Sequence, residues 1–147
     1  MNAISAHKNC ILKYIENGGR YLSLGSAAYF MGPEGFNLLN NYEIVPFQPI
    51  EEPKLVEIKF INDIIKAFRE NGFYFKVIDD NFHTAKIHST FLSDEICSMV
   101  LPVGKGFLAL SSVHFEAPLE WVKNLEGSDD FRPQSALFLN FINSLCA

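Results

Sequence analysis

The first thirty residues constrain the fold more than any other part of the chain. Ile11, Leu12 and Ile15 recur at helical spacing while Lys8, Lys13 and Glu16 fall elsewhere, which predicts a helix over residues 5–17. It stops at Gly18-Gly19, because glycine enters the left-handed conformation that ends a helix without a steric penalty. Arg20–Leu24 is then a short β-prone run, and Gly25-Ser26-Ala27-Ala28 puts only small side chains where that run ends. Tyr29 and Phe30 precede a breaker cluster, Gly32-Pro33-Glu34-Gly35. Helix, double glycine, strand, small-residue turn and short helix is the order of an α/β unit around a parallel sheet.

The middle of the chain is less regular. Residues 40–53 contain three prolines and read as an irregular, partly extended connection. Val56, Ile58 and Phe60 alternate with Glu57 and Lys59, as a strand does. Ile61, Ile64, Ile65 and Phe68 then follow a helical period, so a short helix is expected, with Asn62 as its N-cap and Asn71-Gly72 as its stop. Residues 73–78 and 85–91 read as strands. Residues 96–102 and 107–112 are apolar β-runs joined across Val103-Gly104-Lys105-Gly106, a glycine-bearing hairpin connection. Leu137, Phe138, Phe141, Ile142 and Leu145 form one helical stripe starting near Ser135, and a stripe so rich in phenylalanine reads as core. With no repeat, low-complexity tract or long linker, residues 1–147 form a single domain.

Composition narrows the function classes. Hydrophobic residues make up 48% of the chain, enough for a core, so a disordered chain is excluded. Twelve Lys and Arg against seventeen Asp and Glu leave a net charge of −5, which argues against a nucleic-acid surface. The opening MNAISAHKNC lacks an apolar signal segment and no apolar run reaches membrane-spanning length, so an intracellular, cytoplasmic protein with no membrane partner is expected. Cys10, Cys97 and Cys146 are far apart, without a C-x-x-C pair or metal-ligand spacing. They read as small buried hydrophobes, with no disulfide and no metal site. Of the histidines, His7, His83 and His88 stand alone, and only His114 keeps company that suggests chemistry.

Two local patterns bear on that chemistry. A strand feeding a sharp turn into a helix is the geometry of a nucleophile elbow, where small residues two positions either side of the centre allow close backbone packing. Centring on Gly25 puts Ser23 and Ala27 at the flanks. Centring on Ser26 puts Leu24 and Ala28 there, a worse fit because leucine is bulky. The better register therefore has glycine where a nucleophile would stand, and glycine has no side chain to attack with. Downstream, the hairpin over residues 96–112 delivers His114 and Glu116, a pairing in which a carboxylate can orient an imidazole base.

Taken in order, the segment GGRYLSLGSAAYF (residues 18–30) followed by VGKGFLALSSVHFE (residues 103–116) resembles the glutamine-amidotransferase-like domain in the N-terminal region of eukaryotic biotin–protein ligases (holocarboxylase synthetases). The run from His114 through Asp129-Asp130-Phe131-Arg132 to the last helix is similar to the metazoan version. The resemblance covers both ends of the chain well and residues 37–91 poorly. It implies an α/β, flavodoxin-like class I glutamine-amidotransferase-like fold, present here in part, with a mixed sheet, a C-terminal hairpin and a final helix. Active class I amidotransferases carry G-x-C-x-G at the elbow and H-P-E later. Here Gly25 takes the cysteine position, Ser23 and Ala27 replace the flanking glycines, and Phe115 replaces the proline. Gly25, His114 and Glu116 thus match the positions of a triad that has lost its nucleophile, and a glutaminase is not expected.

The resemblance further implies that the domain is incomplete, because the family's strand–helix units preceding such an elbow have no counterpart here. The ligase catalytic domain, with its G-R-G-R-x-G loop and K-W-P-N segment, is likewise not in these residues. The leading expectation is a noncatalytic piece of a biotin–protein ligase. The parent enzyme would use biotin and ATP to modify a lysine on carboxylases, while this chain itself would hold no cofactor. Its partners would be the rest of the ligase chain and the carboxylase substrates; the parent could also have a mitochondrial pool. A stand-alone pseudo-amidotransferase interaction module is the alternative from another class. A hydrolase using Ser26 with His114 and Glu116 is the third reading.

Overall fold

The computed structural model describes residues 3–48, 52–79 and 84–146. Its elements are α1 (Ala3–Glu16), β1 (Arg20–Leu24), α2 (Ser26–Tyr29), β2 (Tyr42–Pro46), β3 (Lys54–Phe60), β4 (Asp63–Arg69), β5 (Phe73–Val77), β6 (Lys86–Phe91), β7 (Ile96–Val103), β8 (Gly106–Ser111), α3 (Leu119–Val122) and α4 (Ser135–Cys146). The α1 helix stops as its glycines require. Gly18 takes φ 107°, and the Gly18 and Gly19 amides close back on the Ile15 and Tyr14 carbonyls at 2.9 Å.

The strands form one mixed sheet in the order β1-β8-β7-β6-β3-β4, with β5 bonded to β7 and β2 to β5. Parallel pairing is confined to β1 and β8; every other ladder among the described strands is antiparallel. Side chains alternate across the sheet. Met99, Leu101, Leu108 and Leu110 face a core shared with Ile15 of α1, Ala28 of α2 and the β5 phenylalanines Phe73 and Phe75. Val100, Ala109, Ile58 and Phe91 face the opposite core, closed by Phe115 and by Leu137, Phe141 and Leu145 of α4. The stripe read on the final helix is therefore core, with Phe141 packed edge-on against Phe115 and beside the His88 ring.

Three expectations are corrected. Residues 61–71 hold no helix: they turn through Ile61 and Asn62 and run back along β3 as β4, in register from Phe60↔Asp63 to Lys54↔Arg69. The apolar period that suggested a helix is not a core face, since Ile61 is 80% and Ile64 62% exposed. Pairing with β3 overrides it, even holding the β-branched Ile61 at φ 56°, where such residues are seldom found. Asn71-Gly72 accordingly follows a strand and stops no helix. Residues 40–53 include a regular strand, β2, paired with β5; positions 49–51 lie outside the described residues, as does His83. Of the cysteines only Cys97 is buried. Cys10 is exposed on α1 beside the inward Ile11 and Ile15 stripe, and Cys146 follows Leu145, the last buried residue of α4. No described helix is long and apolar enough to cross a membrane.

The sheet curls, and that curl positions the site. The His114 amide donates to the Phe68 carbonyl at 2.8 Å, bridging the segment after β8 to β4 at the opposite end of the strand order. The outer side of β4 is held by Lys66, which bonds Asp130 at 2.5 Å and the Gly127 carbonyl at 2.9 Å. Gln134 adds a bond to the Lys66 carbonyl at 3.2 Å. Because Phe141 is fully buried in the second core, Phe141→Ala is expected to cost about 3–5 kcal/mol in denaturant unfolding. Leu139→Ala, on the exposed side of the same helix, is expected to change stability by less than about 0.5 kcal/mol.

Candidate functional site

The site begins where β1 ends. Gly25 extends the parallel ladder by one bond, its amide donating to the Ser111 carbonyl at 2.8 Å. It then takes φ 58°, ψ −128° and starts α2, its carbonyl accepting from the Ala28 and Tyr29 amides. A residue with a side chain is strained in that conformation. The turn is thus an elbow centred on Gly25, with buried Ser23 and exposed Ala27 two positions either side.

Opposite the elbow stands His114. A Cβ built on Gly25 would lie 2.1 Å from His114 Nε2 and 2.7 Å from its Cε1, so the imidazole occupies the space that a side chain at position 25 would need. His114 Nδ1 is 2.6 Å from Glu116 Oε1. The ring lies between Phe68, at 34° to it, and Trp121, which meets it edge-on. Ring Nε2 and Glu116 Oε2 are both buried and make no hydrogen bond among the described residues. The structure therefore brings Gly25, His114 and Glu116 together from two strand ends that adjoin in the sheet.

It also brings in residues that the sequence did not point to. The end of β4 delivers Glu70 and Asn71 to the elbow. Ser26 donates its hydroxyl to Glu70 Oε1 at 2.5 Å and accepts from Asn71 Nδ2 at 2.7 Å. Glu70 Oε1 lies 3.7 Å from His114 Nε2. Glu70 and Asn71 could be found only through the β3–β4 pairing, which the helical period of the isoleucines conceals. The Ser26 proton is committed to Glu70, and Ser26 is not a hydrogen-bond partner of His114, so no serine–histidine pair is assembled.

Electrostatics follow from this packing. The hydrogen bond to Glu116 holds the His114 pKa above its ordinary value, helped by the charges of Glu116 and Glu70 and opposed by burial. The hydroxyl of Ser26 holds Glu70 below the usual carboxylate range, against its partial burial and with help from His114. Elsewhere, burial depresses the His88 pKa, favouring the neutral imidazole, and pushes the Cys97 thiol up to about 12, favouring the thiol over the nucleophilic thiolate. Among the described residues no group of three or more His, Cys, Asp or Glu could hold a metal ion. Gly104-Lys105-Gly106 is a hairpin turn docked on the end of α1, with the Lys105 amide on the Glu16 carbonyl at 2.9 Å.

No family model and no curated protein sequence matches the chain. Solved structures do. The chain is similar to a glutamine amidotransferase from Thermotoga maritima, with TM-score 0.64 and 14% identity over 97% of this chain and 67% of that one. A putative GMP synthase component from Thermoplasma acidophilum matches with TM-score 0.59 and 11% identity, over 97% of this chain and 65% of that one. A β-galactosidase from Bacillus circulans sp. alkalophilus shares the fold more distantly, with TM-score 0.52 and 12% identity over 94% of this chain and 20% of that one. Identities this low speak to fold alone. Together with the curled mixed sheet and the elbow, they give the chain a class I glutamine-amidotransferase-like α/β fold.

Proposed function

We propose that this chain is a noncatalytic amidotransferase-fold module that works through its surface and its place in a larger protein. One observation carries the reading: the elbow residue is Gly25, and the imidazole that would serve a nucleophile fills the space the nucleophile would need. A catalytic elbow needs a reactive side chain within hydrogen-bond reach of its base. Here the base is present, oriented by Glu116, with nothing to deprotonate.

The setting that best fits the motifs is the N-terminal region of a biotin–protein ligase. The order of residues 18–30 and 103–116 supports it, as does the degenerate elbow. Biotin and ATP would belong to the catalytic part of that parent, which joins biotin to a lysine of carboxylases. This module would contribute scaffold or contacts to the rest of the ligase and to the carboxylases, in the cytoplasm. A transcript whose frame continues into G-R-G-R-x-G and K-W-P-N would support this setting, and an intact transcript without them would overturn it.

The domain is also proposed to be part of a larger one. The chain spans 67% and 65% of the two amidotransferase-like neighbours, and β1, its parallel strand, pairs only with β8 among the described strands. Parallel strands are ordinarily covered on both sides, and an open edge invites pairing with another chain. The isolated 147-residue chain is therefore expected to associate as its concentration rises in sedimentation. A strictly monomeric chain that unfolds cooperatively at about 45–65 °C would contradict this.

Two further outcomes follow from the elbow. Ammonia release from glutamine is expected not to exceed that of a His114→Ala control, and Gly25→Cys is expected not to create activity, because its Cβ would collide with His114. The same substitution is expected to destabilise the fold by about 1–3 kcal/mol from backbone strain alone. Release of ammonia above the control would refute the reading.

The pH dependence is fixed in sign. The His114 pKa is raised on folding, so its contribution is complete below its ordinary value of 6.5 and is lost as pH rises through the folded value. The Glu70 pKa is lowered, so its contribution is present above its ordinary 4.5 and is lost as pH falls through the folded value. Unfolding free energy is expected to decline as pH rises above 6.5 in wild type, with a shallower decline in His114→Gln.

A further inference from the structure

The chain contains two Asn-Gly steps, Asn17-Gly18 and Asn71-Gly72. In such a step no Cβ shields the following amide nitrogen, which can therefore reach the asparagine side-chain carbonyl carbon. The fold treats the two steps differently. At the end of α1 the Asn17 amide is bonded to Lys13 at 3.1 Å and the Gly18 amide to Ile15 at 2.9 Å, so that nitrogen is pinned in the helix terminus. Between β4 and β5 the Gly72 amide makes no hydrogen bond among the described residues, and Asn71 is exposed. The Asn71 side-chain amide is nevertheless held in place, donating to Ser26 Oγ at 2.7 Å.

We propose that Asn71 is a self-deamidation site whose product places a second carboxylate against the elbow. The Gly72 nitrogen, having given its proton to water, attacks Asn71 Cγ. A bond forms between that nitrogen and Cγ, the Cγ–Nδ2 bond breaks, and ammonia leaves with a proton from solvent. The resulting succinimide is opened by water at one carbonyl or the other, giving aspartate or isoaspartate. The balance is one water consumed and one ammonia released, with no oxidant or cofactor.

The consequence falls on the elbow. Asn71 donates to Ser26, whereas an ionised aspartate can only accept. The single Ser26 proton, now given to Glu70, would face two carboxylates, and like charges so close raise one another's pKa. The isoaspartate product also lengthens the backbone immediately before Gly72, whose carbonyl accepts from the Phe47 amide at 2.9 Å just beyond the β2–β5 ladder. Modification would loosen the attachment of β4 to the elbow.

The test is peptide mapping by mass spectrometry after incubating the folded full chain in mildly alkaline buffer. The expected result is conversion at Asn71 several-fold faster than at Asn17, with the two rates converging in denaturant. Gly72→Ala is expected to suppress conversion at Asn71 and leave Asn17 unchanged. Its φ is not in the left-handed region, and the added Cβ would lie 3.2 Å from Cζ of the buried Arg69, whose guanidinium must give by a few tenths of an ångström. Equal protection of both sites in the folded chain, or a Gly72→Ala variant that converts as fast as wild type, would overturn the proposal. Asn71→Asp is expected to shift the Glu70 carboxyl titration upward by NMR; an unmoved Glu70 would overturn the claimed effect on the elbow.

Discussion

The hydrogen bond from the His114 amide to the Phe68 carbonyl closes the molecule. In the sheet order β4 is at one end and β1 at the other, so an open sheet would leave the end of β4 far from the elbow. Because the sheet curls until β4 meets the segment after β8, Phe68 comes to face the His114 ring, and Glu70 and Asn71 reach Ser26. The outer side of β4 is secured by Lys66, Asp130 and Gln134, which tie it to the stretch leading into α4. Local geometry at the site is thus a consequence of a closure between residues far apart in sequence.

A histidine and two carboxylates meet at the Gly25 elbow, and packing holds them there. His114 is largely buried between Phe68 and Trp121, with Glu116 on one ring nitrogen and Glu70 near the other. Removing one member of a partly buried ionic group leaves its partners uncompensated, which costs more than the group contributes when whole. Each member of such a cluster therefore depends on the others being in place. It links three segments, the elbow, the end of β4 and the exit from β8, through charges and hydrogen bonds.

What could be read from the sequence divides along a physical line. The helix ending at Gly18-Gly19, the strand Arg20–Leu24, the hairpin across Gly104-Lys105-Gly106 and the phenylalanine stripe of α4 depend on local signals: a glycine that must turn, an alternation, a period. They were legible for that reason. Gly25 was legible as the elbow centre because small flanks are a local requirement too. The β4 strand was not, because Ile61, Ile64, Ile65 and Phe68 satisfy a helical period by coincidence, and only pairing with β3 decides against it. Glu70 and Asn71 ride on that strand. Hence the part of the candidate site lying on β1 and after β8 is visible in the sequence, and the part on β4 is hidden behind an apparent helical period. The exposure of Cys10 and Cys146 was missed for a different reason: cysteine's general preference for burial says nothing about which side of a helix a given one occupies.

The likeness to amidotransferase structures at 14% and 11% identity shows how loosely sequence constrains this fold. The fold rests on two layers of apolar side chains on either side of the sheet, and many combinations of Leu, Met, Val and Phe fill such layers. An elbow needs only a strand end, an unusual backbone conformation and small neighbours, and glycine meets the conformational demand at least cost. Chemistry at an elbow asks for one thing more, a side chain in the gap between the turn and its histidine. In this chain His114 occupies that gap, to within 2.1 Å of where a Cβ would be, so the glycine and the packing suit each other. Placing a thiol at position 25 would require the imidazole to retreat, and with it the contacts to Glu70, Phe68 and Trp121. The distance between one glycine and one ring thus sets what position 25 can hold.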